Sequence, residues 1–249
     1  ALGRAPVGLV PYLPPTTPRW TLEAWVLGGL GAVQRWVTHA TRAGASPEQA
    51  LDLHISHLTA DLMDQHAGSI VAVIGLTNGV GRTSLTERIA RSAAHAKRRV
   101  LVIDADMEHA DLSRAFGIEP GPGLADALTK TKTPLAVQTS EDSPYIDFVG
   151  AGTSALDGRS HWHFDHIRDQ IAATEPAYDL VLVDTPAMHA SPLADRLVHL
   201  ADCAVCVLDA TNCPQGDIVE LTHRLKDIGD RLLLVLNKVK FPADYLFKS

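Results

Sequence analysis

The sequence predicts an α/β fold, a doubly wound and mostly parallel sheet flanked by helices. Six short apolar runs recur between residues 70 and 236 without the polar alternation of a half-exposed strand. Stretches with helical spacing lie between several of them, and a glycine-rich turn leads from the first run into a helix pattern. Strands buried on both faces and joined through helices build a parallel sheet with right-handed crossovers.

The elements follow in chain order. Leu2 to Pro15 carries prolines at a spacing that forbids a helix and favours extended chain. Leu22, Trp25, Val26, Leu30, Val33, Trp36 and Val37 then recur at helical intervals, although Gly28, Gly29 and Gly31 weaken this helix in isolation. Two readings of it stay open: a helix docked on the main domain, or an interfacial or partner-binding helix near a membrane. Residues 38–45 read as a linker. Ser46-Pro47-Glu48-Gln49 is a helix start with a capping serine and a proline in the first turn, and this helix is expected to reach about Gln65. Strands are expected at Ile70–Ile74, Val100–Ile103, Ile146–Val149, Leu180–Val183, Ala204–Leu208 and Leu232–Leu236. Helices are expected at 83–97, 164–173, 193–200 and 215–228. The domain division is therefore 1–45, a juxtamembrane-like segment, and 46–249, a nucleotide-binding domain.

Charge supports this division. The chain of 249 residues carries a net −7, yet four arginines against one glutamate make residues 1–45 net +3, leaving −10 for the remainder. An acidic main domain argues against a nucleic-acid partner, which needs a basic face. A 46% hydrophobic composition excludes disorder for most of the chain. No apolar run is long enough to span a bilayer, and no signal-peptide pattern is present. Three cysteines, an odd number, suit a reducing compartment. The start at Ala1 is expected to reflect excision from a longer membrane chain.

The first strand runs into Gly75-Leu76-Thr77-Asn78-Gly79-Val80-Gly81-Arg82-Thr83-Ser84, and Leu85, Ile89, Ala93 and Ala96 then share one helical face. Strand, glycine loop, hydroxyl residues and helix form the context of a phosphate loop. Its backbone N–H groups can turn inward as an anion nest at a helix N-terminus, and the Thr83 hydroxyl is placed for Mg²⁺. Two departures stand out: Leu76 occupies the usual opening glycine position, and Arg82 stands where lysine is usual. A planar guanidinium cannot act as a compact bridging point charge. Asp104 and Asp106 close the second apolar run, two residues apart, and Asp184 closes the fourth. Period-two spacing places Asp104 and Asp106 on the same side, at the sheet edge where α/β ligands bind. One such aspartate is weak evidence, but three at two strand ends after a phosphate loop point to nucleotide binding.

Cys203 and Cys206 have metal-pair spacing, but residues three apart on a strand face opposite sides, so they read as core. His161, His163 and His166 surround Trp162 without the carboxylates or thiols that would complete a metal site. No nucleophile elbow is present.

On these motifs the chain resembles the cytoplasmic kinase domain of bacterial tyrosine kinases of exopolysaccharide and capsule synthesis, within the deviant-Walker P-loop ATPases. The resemblance spans residues 48–240. It rests on Gly79-Val80-Gly81-Arg82-Thr83, Leu101-Val102-Ile103-Asp104-Ala105-Asp106, Gly123-Leu124-Ala125-Asp126-Ala127-Leu128, Tyr178–Pro186 and Leu234–Val239. Pro6–Tyr12 is also similar to the segment after the last membrane helix of polysaccharide co-polymerases.

The resemblance implies that Asn78, Gly79, Val80, Gly81, Arg82, Thr83 and Ser84 hold the phosphates of ATP or ADP. It implies Mg²⁺ at Thr83, Asp106 and Asp184, and Asn237 facing the base. Asp104 would activate a tyrosine hydroxyl of a neighbouring subunit, with Arg82 as the catalytic cation. It further implies a homo-oligomer, membrane polysaccharide-assembly partners and a place on the cytoplasmic face of the inner membrane. Glu108 stands where the family often has arginine, residues 48–62 lack the arginines of its oligomerising helix, and residues 241–249 hold one tyrosine. The resulting expectation is a nucleotide-binding, kinase-like domain that regulates polysaccharide chain synthesis or export without needing kinase activity. An active autophosphorylating tyrosine kinase and a partition- or septum-type ATPase switch are the alternatives.

Overall fold

A computed structural model describes residues 47–129, 133–141, 143–153, 162–173, 178–228 and 231–238. The expected features in 1–45, the Ser46 cap, His161 and the 241–249 tail lie outside these residues. The strands are β1 (Ile70–Ile74), β2 (Val100–Asp104), β3 (Val137–Thr139), β4 (Ile146–Val149), β5 (Leu180–Asp184), β6 (Cys203–Asp209) and β7 (Leu232–Asn237). They form one sheet in the order β3-β4-β2-β5-β1-β6-β7. Every pairing is parallel except β3 with β4. All six expected strands are present. The three-residue β3 is an addition: it is exposed and carries no apolar pattern by which a sequence could show it.

The helices are α1 (Pro47–Gln65), α2 (Arg82–His95), α3 (Asp111–Ala115), α4 (Leu124–Thr129), α5 (Phe164–Ala172), α6 (Pro192–Leu200) and α7 (Gln215–Arg224). The expected 83–97 and 215–228 helices end earlier than expected, at His95 and Arg224. Ser191 caps α6 by accepting from Leu193 N, with Pro192 at the first helical position.

The sheet divides the core in two. Ile70, Ala72 and Ile74 of β1 join one apolar cluster, with residues of α4 to α7. Val71 and Val73 join the other, with α1 and α2. This is the period-two pleat of a strand buried on both faces. Cys203 and Cys206 fall in opposite clusters, both buried, as expected of core cysteines. On α1, Leu51, Ile55, Leu58 and Leu62 form the buried stripe. The Arg88–Asp52 ion pair that also joins α1 to α2 is exposed and adds little.

Two polar devices fix the loops. Asp147 on β4 accepts from Arg99 Nη2 at 3.0 Å, Tyr178 Oη at 3.0 Å and Thr139 Oγ1 at 2.8 Å, tying β3 and the starts of β2 and β5 to β4. The segment after β5 runs beneath the phosphate loop. Thr185 N donates to Val73 O, Met188 N to Gly75 O and His189 N to Leu76 O. Arg224 of α7 holds that segment's far end, donating to Met188 O at 2.9 Å and to Asp195 of α6 at 2.5 Å.

Removing the Asp147 carboxylate takes the acceptor from the largely buried Tyr178 hydroxyl and one ion-pair partner from Arg99. Asp147→Ala is expected to lower stability by about 2–3 kcal/mol, read as a fall in the urea midpoint with an unchanged slope.

Candidate functional site: a phosphate loop beside two carboxylate strands

The strand order assembles the site. With β5 between β1 and β2, three C-terminal strand ends meet at one edge, and Asp104 lies in register with Asp184. The loop leaving β1 turns through left-handed backbone at Gly79 (φ 76°) and Gly81 (φ 102°). A Cβ on Gly81 would overlap the Asn237 side-chain nitrogen, so only glycine satisfies both the φ and the space. The helix α2 begins at once, and its first N–H groups face the loop without a side-chain cap.

Arg82 is 6% exposed although it is cationic. Its Nη2 donates to Asn78 Oδ1 at 3.3 Å and lies 3.9 Å from Asp106 Oδ2. Its Nη1 is buried with no hydrogen-bond partner. Burial pulls the guanidinium below its usual value, and Asp184 and Asp106 pull it back up. A buried donor without an acceptor is costly, and a phosphate oxygen is the acceptor this loop is shaped to receive.

Thr83 Oγ1 donates to Asp184 Oδ2 at 2.7 Å, and Thr86 Oγ1 donates to Arg82 O at 3.1 Å. Asp184 is 1% exposed. Desolvation pushes its carboxyl up to about 7, Asp104 and Asp106 add to the rise, and the Thr83 hydroxyl and Arg82 oppose it. A hydroxyl beside a carboxylate, with phosphate oxygens to come from the ligand, suits Mg²⁺, which takes one or two carboxylates rather than a full protein cage. Among the described residues no group of three or more His, Cys, Asp or Glu is placed to hold a metal ion by itself.

The two aspartates of the second motif sit on different local structures. β2 ends at Asp104, and Asp106 lies in the turn beyond, donating its N–H back to Asp104 Oδ1 at 3.1 Å. The two carboxylates therefore share the sheet edge beside Asp184, but only Asp104 belongs to the strand. Asp104 is fully buried, and its Oδ2 accepts from Ser113 N at 2.9 Å and Ser113 Oγ at 2.7 Å. Burial raises its pKa first, with the Ser113 bonds opposing. Asp104, expected as the proton acceptor for a tyrosine hydroxyl, also ties β2 to α3 through these bonds.

Asn237, expected to face a base, donates from Nδ2 to Val80 O at 2.7 Å and accepts from Lys238 N at 2.8 Å. Its amide braces the phosphate loop from β7. Ser84 is exposed on α2, one residue past the loop.

His109, Ser113 and Thr86 belong to the site and escaped the sequence reading. His109 Nδ1 lies 3.1 Å from Asp106 Oδ1, and His109 N donates to the same oxygen at 3.2 Å. The Asp106 bond and charge raise the His109 pKa above its usual value. The Asp106-x-x-His109 spacing within a turn was the available signal.

Taken together, these features define a P-loop nucleotide site at the switch edge of a doubly wound sheet. The family profile described as cellulose biosynthesis protein BcsQ matches residues 68–240, and the chain belongs to that family. EpsB of Ralstonia solanacearum, a tyrosine-protein kinase by assignment, is 32% identical over 173 residues, covering 67% of this chain and 22% of EpsB. The tyrosine-protein kinase YwqD of Bacillus subtilis is 25% identical over 164 residues, covering 66% of this chain and 69% of YwqD. The chain spans about a fifth of the length of the first curated relatives it matches. The kinase domain of the Escherichia coli tyrosine kinase ETK superposes with a TM-score of 0.67 at 22% identity, covering 80% of this chain and 79% of that one. The septum site-determining protein MinD of Pyrococcus horikoshii, complexed with Mg-ADP, gives 0.52 at 22% identity, over 66% and 67% of the two chains. At these identities the superpositions establish the P-loop fold.

A carboxyl raised from 3.8 to about 7 disfavours the folded apo protein as pH climbs through that window, because the unfolded chain gives up its proton first. Asp184→Asn is therefore expected to match wild-type stability near the low end of the window and to exceed it above the high end. Denaturant midpoints across pH, without nucleotide or magnesium, test this.

Proposed function

We propose that residues 46–249 form a domain that binds ATP or ADP with Mg²⁺ and uses nucleotide occupancy to regulate the synthesis or export of an exopolysaccharide, with cellulose suggested by the family's name. The observation that carries this reading is the buried Arg82 Nη1, a donor without an acceptor inside a phosphate loop. Arg82 and the backbone of residues 78–84 would hold the phosphates, while Thr83, Asp184 and Asp106 would serve the metal. Magnesium would supply charge neutralisation between the outer phosphates. Homo-oligomers, membrane polysaccharide-assembly partners and a location on the cytoplasmic face of the inner membrane complete the reading. The basic segment 1–45 supports that location, because juxtamembrane basic charge favours the cytoplasmic side.

A second reading, phosphoryl transfer to tyrosine, is supported by the names of EpsB and YwqD. Mass spectrometry of the full-length protein after incubation with Mg-ATP separates the two, since phosphotyrosine appears only under the second.

Titration with a fluorescent ADP analogue tests nucleotide binding itself. Wild type is expected to bind in a magnesium-dependent manner. Arg82→Ala is expected to lose about 10-fold or more in affinity, the scale of a charge-assisted bond, and Arg82→Lys to retain binding. No binding by the wild type overturns the reading.

A further inference from the structure

The base of the phosphate loop seats an arginine. A Cβ at Gly75 would lie 3.2 Å from Arg82 Cδ, 2.6 Å from Val80 Cγ2 and 3.2 Å from Val207 O. A side chain at position 75 would thus be caught between the arginine stem, Val80 and the backbone of β6. The stem of Arg82 is buried against a residue that has no side chain to displace it.

The head group is held unevenly. Nη2 donates to Asn78 Oδ1 at 3.3 Å and lies 3.9 Å from Asp106 Oδ2, whereas Nη1 is buried with no acceptor. A guanidinium is planar, and its arms keep a fixed geometry. Holding the stem at Gly75 and one arm at Asn78 therefore sets the direction of the other arm. Asn78 is exposed while Arg82 is buried, so the amide bonds the guanidinium from the solvent side of the loop. The left-handed positions of the loop are Gly79 and Gly81, and Asn78 is not among them. The backbone at 78 therefore makes no demand for asparagine, and the contact its side chain makes is with Arg82.

A lysine at position 82 would need none of this. An ammonium on a flexible stem turns three rotatable donors toward a phosphate oxygen without a partner to aim it. An arginine gains from being aimed, because a donor fixed beforehand pays less ordering entropy when the ligand arrives.

We propose that Asn78 is a positioning residue: its side chain pins Nη2 of Arg82 so that Nη1 is presented to a phosphate oxygen of the bound nucleotide. Asn78 and Arg82 together replace the usual lysine. The Asn78 amide acts through Arg82, in contrast to the direct hold on phosphate that the family resemblance implies for it. Arginine at this position is then a built feature of the loop and not the mere loss of a lysine. This inference rests on the nucleotide-binding reading above and adds to it how the cation is aimed.

A double-mutant cycle on the full chain tests it. The probe is a fluorescent ADP analogue with Mg²⁺, and the variants are Asn78→Ala, Arg82→Lys, Arg82→Ala and Asn78→Ala combined with each. Asn78→Ala alone is expected to weaken binding about 5-fold, the scale of one hydrogen bond, with the urea midpoint unchanged. Combined with Arg82→Lys or Arg82→Ala, the same change is expected to alter affinity by less than about twofold, because no guanidinium is left to aim. A cost that is equal in all three backgrounds assigns Asn78 to the ligand or to the loop itself and overturns the proposal. A cost below twofold in the presence of Arg82 overturns it as well. Nitrogen-15 spectra of the Arg82 guanidinium give a second reading that needs no variant affinity: Mg-ADP is expected to move the Nη1 signal more than the Nη2 signal, and the reverse order overturns the proposal. In each of these failures the wild type still binds nucleotide and the binding reading stands, whereas wild type that binds none overturns both.

Discussion

The insertion of β5 between β1 and β2 is the constraint on which the rest of the molecule depends. Parallel neighbours in register end at the same level, so the loop after β1, the aspartate of β2 and the aspartate of β5 arrive together. No long-range loop closure is needed to gather them, because the sheet's hydrogen bonds have already done so. The hydrogen bond from Thr83 to Asp184 closes this arrangement from the helix side. A register slip of one residue would turn the Asp184 side chain to the opposite face and take it away from Thr83.

The same convergence creates an electrostatic problem. Asp104, Asp106 and Asp184 lie near one another at low exposure, with Arg82 as the neighbouring buried cation. Each carboxylate meets this differently. Asp104 is neutralised in effect by three donors from α3 and the turn. Asp106 shares its charge with Arg82 and His109. Asp184 accepts from the Thr83 hydroxyl at 2.7 Å and from that of Thr86 at 3.5 Å, and burial outweighs these bonds to raise its affinity for a proton. A site that holds one carboxyl near neutrality without its ligand is one that a divalent cation would relax.

Much of this was legible in the sequence, and the reasons differ by element. The six strands were readable because burial on both faces removes the alternation that would hide a strand among amphipathic helices. The phosphate loop was readable because Gly79 and Gly81 meet a backbone requirement few other residues satisfy. β3 was not readable, since three exposed residues held by an Asp147 contact leave no local signature. The separate roles of Asp104 and Asp106 were hidden for a related reason. Their two-residue spacing reads as one strand face, and only the end of β2 at Asp104 shows that the pleat has stopped. The contact between His109 and Asp106 stayed hidden because it is set by the conformation of a turn rather than by any periodic pattern.

The segment after β5 gives the fold a mechanical property. Its beginning and middle are bonded to Val73, Gly75 and Leu76, and Met188 O is gripped by Arg224, which also binds Asp195 and Glu220. The entry to the phosphate loop and the outer surface of α6 and α7 are thus the two ends of one taut strap. Glu220 carries the strap to the exterior, where it meets His189 at 2.9 Å. A partner seated on that outer surface would have a grip on the floor of the phosphate loop without touching a ligand there.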